Sequence, residues 1–80
     1  MVETRLALAE GIRQWRRRMS LTQTEVAARL GSSQSRVAKM EAGDPAVTID
    51  LMMRALLRLG ASRRQLARII SDGAAAGDRS

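Results

Sequence analysis

Gln23-Thr24-Glu25-Val26-Ala27-Ala28-Arg29-Leu30-Gly31-Ser32-Ser33-Gln34-Ser35-Arg36-Val37-Ala38-Lys39-Met40 is the stretch whose reading decides the fold. Thr22 stands just before it, and Thr22-Gln23-Thr24-Glu25 has the form of a capping box. The threonine hydroxyl accepts from the Glu25 amide while the glutamate reaches back to the Thr22 amide. A short helix then runs to Leu30 with Val26, Ala27 and Leu30 facing inward. Gly31 stops it in the left-handed conformation that glycine adopts without steric cost. Ser33 caps a second short helix, about 34–42, whose Val37 and Met40 face back while Gln34, Ser35, Arg36 and Lys39 stay polar outside. Two helices joined by so tight a turn must cross steeply and closely, and Ala27 supplies the small residue where they touch.

The flanking chain reads as more helix. From about Arg5 to Met19, Leu8, Ile12, Trp15 and Met19 recur at helical spacing, and Gly11 marks either close packing or a weak first turn. Arg13, Arg16, Arg17 and Arg18 crowd the polar side, either as a solvated helix end or as phosphate contacts. Ser20-Leu21 breaks the pattern. After the loop Asp44-Pro45-Ala46-Val47, Thr48 caps a fourth helix with Met52, Ala55, Leu56 and Leu59 inward, and Gly60 closes it. Ser62-Arg63-Arg64-Gln65 repeats the capping box and starts a short fifth helix with Leu66, Ile69 and Ile70 apolar. The expected architecture is all-α, a compact bundle of about five short helices forming one domain over 1–71. The Gly-, Ala- and charge-rich stretch 72–80 is expected to be a disordered tail.

Composition narrows the function. The 80 residues carry a net charge of +6, which suits a polyanionic partner, and they hold neither cysteine nor histidine. Disulfides, thiolate chemistry and the usual zinc ligands are thereby excluded, and no metal or cofactor is expected. Lys39 is the only lysine, no glycine-rich phosphate loop occurs, and an enzyme is not expected. With 45% hydrophobic but 1% aromatic residues, the core must be aliphatic. No apolar run spans a bilayer and no secretion-signal plan opens the chain, so a soluble, cytoplasmic protein is expected.

Ile12-Arg13-Gln14-Trp15-Arg16, Leu21-Thr22-Gln23, the run Leu30 to Gly43, and Leu59-Gly60-Ala61-Ser62 together resemble the Cro and phage-repressor (XRE-type) helix-turn-helix family. The resemblance implies a lambda repressor-like fold and a bacterial regulator, a repressor of its own operon, that binds double-stranded DNA at a palindromic operator as a homodimer. Gln34, Ser35, Arg36 and Lys39 would then face base edges in the major groove. Gln23, Thr22, Ser33 and Arg13 would hold phosphates, Gln23 through its side chain and amide at a helix N-terminus. Arg16 and Glu41 would form a structural ion pair. Met53 and Leu57 fall outside the fourth helix's inward stripe. With Leu66, Ile69 and Ile70 they either cover the core from another side or meet a second copy. The dimer interface is expected at Leu57, Ala61, Leu66 and Ile70. The Gly43-Asp44-Pro45 loop before a Leu- and Met-rich helix is also similar to DNA-binding antitoxins, which implies a cognate toxin as an alternative partner.

Overall fold

The structure, a computed structural model, describes the backbone of residues 2–79 and the side chains of 4–71. Five helices follow in order, α1 (Val2–Arg18), α2 (Gln23–Leu30), α3 (Gln34–Glu41), α4 (Ile49–Arg58) and α5 (Arg63–Arg79), with no strand among the described residues. The tail expected over 72–80 lies outside the residues whose side chains are described.

Local chemistry sets most boundaries. Thr22 Oγ1 accepts from Glu25 N at 3.1 Å while Glu25 Oε1 accepts from Thr22 N at 2.8 Å, completing the capping box. Hydrogen bonding from Thr22, above all from its backbone amide, favours the charged Glu25 carboxylate and holds it below its ordinary pKa. Ser33 and Thr48 cap α3 and α4 in the same way, through Arg36 N and Leu51 N. Ser62 and Gln65 repeat the reciprocal pair at α5. Gly31 closes α2 at φ 65°, and Ser32 N donates back to Ala27 O at 2.9 Å, which satisfies a carbonyl that the helix end would otherwise orphan. α1 ends on the same wrapped-back bond, from Leu21 N to Arg16 O. There a serine takes the left-handed position, Ser20 at φ 57°.

The helices close on an aliphatic core in which Leu8, Ile12, Val26, Val37, Met40, Met52 and Leu56 are fully buried. Each such side chain contributes roughly 1.5–3 kcal/mol relative to exposure. α1 is the spine, packing against α3, α4 and, most extensively, α5. The α1–α5 contact is close because Gly11 sits under Ile69; a Cβ there would lie 3.1 Å from Ile69 Cδ1. Val47, in the loop before α4, is also buried.

Trp15 is half-buried, and its Nε1 donates to Leu59 O at 2.9 Å, tying α1 to the last carbonyls of α4. Arg18 lies 5.5 Å from the ring centroid, within cation–π range. Trp15→Phe keeps the apolar body and removes only the donor. Urea denaturation followed by circular dichroism is expected to show a loss of about 1–2 kcal/mol.

Candidate nucleic-acid interface

The crossing of α2 and α3 puts the first residue of each helix within reach of the other. Gln34 Nε2 donates to Gln23 Oε1 at 2.7 Å. Gln23 Nε2 in turn donates to Glu41 Oε1 at 3.1 Å. Glu41 is 5% exposed and is the one buried charged residue among the described residues. Arg16 answers it with a two-pronged pair, Nε to Oε2 at 2.6 Å and Nη2 to Oε1 at 3.0 Å, while its Nη1 donates to Leu21 O at 3.1 Å. The bond to Glu41 raises the Arg16 guanidinium above its ordinary pKa, against the opposing effect of desolvation. An unbroken line of hydrogen bonds therefore runs from α1 through the end of α3 and the start of α2 to the exposed start of α3.

That line has a direction. An ionised carboxylate only accepts, so the Gln23 amide must turn its NH2 toward Glu41 and its oxygen toward Gln34. Gln34 must then donate with Nε2, which leaves its second amide hydrogen and its Oε1 on an exposed side chain. One donor and one acceptor side by side are what an adenine edge requires at N7 and N6. The buried charge thus fixes the polarity of an amide at the surface.

Ser33, Ser35, Arg36 and Lys39 border one shallow depression with Ala46 and Val47 of the α3–α4 loop. Gln34, Ser35, Arg36 and Lys39 are all exposed, as are Thr22 and Ser33. The hydroxyl oxygens of Thr22 and Ser33 accept cap bonds from backbone amides, and the Ser33 hydroxyl retains its own hydrogen to donate. Gln23 is only half-exposed, and its side chain is engaged on both sides; its backbone amide lies in the first turn of α2. Arg13 is drawn along α1 to Glu10, and its Nε is buried without a partner. Of the residues expected at a two-fold contact, Ala61 and Leu66 are buried in the chain's own core, Ile70 is half-buried and Leu57 is exposed.

In the sequence Gln23 and Gln34 read as separate contacts, and nothing there announces their bond to each other. Nor does the sequence announce the part played by Arg5. Its guanidinium donates to Asp44 O at 3.1 Å and to Val47 O, clamping the α3–α4 loop to α1. Asp44 turns its own carboxylate inward on that loop, accepting from Ala46 N at 2.8 Å. No signal in the sequence marks Arg5, because both its partners are backbone carbonyls.

Among the described residues, no group of side chains is placed to hold a metal ion, and no helix is long and apolar enough to cross a membrane. A helix-turn-helix family model of the Cro/C1 type matches residues 12–66, more than half of the chain. No curated protein and no solved structure matches it.

Proposed function

The chain belongs to the Cro/C1-type helix-turn-helix family of DNA-binding transcription regulators, and from that premise we propose that it is a homodimeric repressor reading a palindromic duplex site with α3 in the major groove. The observation that carries this reading is the Arg16–Glu41–Gln23–Gln34 line, which presents an oriented amide at the start of α3. Gln34 pairs with adenine. Ser35, Arg36 and Lys39 contact neighbouring bases, with Arg36 and Lys39 suited to guanine. Thr22, Ser33 and the first-turn amides of α2, including that of Gln23, hold phosphates and set the register. Its place of work is the nucleoid in the bacterial cytoplasm. Selection of bound sites from random duplexes tests the reading. Two copies of an adenine-containing half-site, centred about one helical turn apart, are expected. Recovery of unrelated sequences would refute it.

The two-fold contact falls on the Ile70 side of α5. Both Ile69 and Ile70 pack against the core and keep part of their apolar surface in water; Ile69 is turned onto Gly11 of α1, and Ile70 lies one position further round the helix. Ile70→Asp is expected to leave a folded monomer in sedimentation. Binding to the palindrome should fall by about a hundredfold or more as the linkage between half-sites is lost. A variant that stays dimeric places the contact elsewhere.

A further inference from the structure

A groove of about 540 Å3 opens between α4 and the turn that joins α2 to α3. Leu30, Leu51 and Leu57 line it, and Arg36, Arg54 and Arg58 stand on its rim with no acidic side chain among the lining residues. Leu57 is 39% exposed and, with Leu6, is one of two large apolar side chains in that state among the described residues. Arg54 pairs with Asp50 at 3.1 Å, but both side chains are largely in water, so the pair is weak and readily exchanged. Arg58 reaches across to Leu30 O at 3.3 Å.

The chemistry selects among occupants. Two copies apposed here about a two-fold axis would set three arginines against three, in a chain already at +6. Duplex DNA could pair phosphates with the rim arginines but would leave the aliphatic floor uncovered. A helix with an apolar stripe flanked by carboxylates satisfies both the floor and the rim.

We infer that this groove docks an acidic amphipathic helix of a partner protein, with its apolar stripe on Leu30, Leu51 and Leu57 and its carboxylates on Arg36, Arg54 and Arg58. Arg36 gives the site a consequence. It lines both this groove and the depression at the start of α3 that holds Ser33, Ser35 and Lys39. A partner that engages Arg36 takes it from DNA, and by linkage each ligand weakens the other by the same factor.

The test titrates the full-length, 15N-labelled chain with a synthetic helical peptide bearing a leucine stripe flanked by glutamates. Controls are the same peptide with lysine for glutamate, and a scrambled peptide of equal composition. The glutamate peptide is expected to give saturable shifts confined to amides around the groove, with both controls at least about tenfold weaker. Leu57→Ser and Arg54→Glu should each weaken it about tenfold while helix content stays unchanged. Saturating peptide should lower DNA affinity at least about fivefold. Absence of saturable shifts at about 1 mM peptide, the weak end of specific affinity, overturns the inference. So does equal binding of the scrambled control. Loss of self-association in Leu57→Ser, measured by sedimentation, would also overturn it and assign the groove to a second copy. Because DNA affinity is measured separately, failure here is distinguishable from failure of the DNA-binding reading.

Discussion

Glu41→Ala is expected to destabilise the fold by about 3–5 kcal/mol, because it leaves the Arg16 guanidinium without its carboxylate in a site it cannot easily leave. The Arg16 side chain is 18% exposed and that of Glu41 5%. With the carboxylate gone, Arg16 keeps only Leu21 O, and Gln23 Nε2 loses its acceptor. A domain of this size has only about 5–15 kcal/mol in hand, so the variant should sit close to unfolding in urea at room temperature. Replacing both members, Arg16→Met with Glu41→Met, should recover most of that loss, since two well-packed apolar side chains impose no desolvation penalty. The double variant should nevertheless discriminate poorly among DNA sequences, because nothing then fixes which way the Gln23 and Gln34 amides turn. A loss below about 1 kcal/mol for Glu41→Ala would instead class the pair with ordinary surface ion pairs.

The second large effect is on DNA affinity as salt rises. The net charge is +6, and Arg36 and Lys39 lie on the exposed face of α3, long enough to reach the phosphates that border the groove as well as its bases. Each phosphate neutralised releases condensed counterions, with a slope of about −0.9 in log affinity against log salt. A dimer making about six such contacts should lose about a thousandfold between 50 and 200 mM salt. Fluorescence anisotropy with a labelled duplex measures this directly. A flat plot would mean that the positive charge serves another partner.

Much of the fold was legible because its punctuation is local. The Thr22, Ser33, Thr48 and Ser62 caps each bond to the residue three positions on, so residue type and spacing suffice. Gly31 likewise needs only its own backbone angle. What escaped was long-range or directed at backbone. The bond from Trp15 to Leu59 O spans 44 positions, and Arg5 binds carbonyls that every residue possesses. The apolar faces of α4 and α5 could be counted, but counting does not separate a second core face from an interface. Ala61 and Leu66 went to the core because α5 packs along α1 with Ile69 over Gly11. At the candidate site the residue types on α3 were readable. The direction of the amides was not, because it depends on a buried carboxylate contributed by the far end of the same helix.

In the proposed function, Gln34 reads a base with an amide whose orientation is set from within the protein. The most direct test compares wild type with Gln34→Ala on the selected palindrome, on palindromes altered at one base pair per half-site, and on random duplex at the same salt. The variant is expected to lose about 1–3 kcal/mol per half-site on the selected palindrome and almost nothing on random DNA. It should also no longer distinguish adenine from other bases at that one position. Equal losses on selected and random duplex, with discrimination at every position intact, would contradict this reading and make Gln34 a backbone contact.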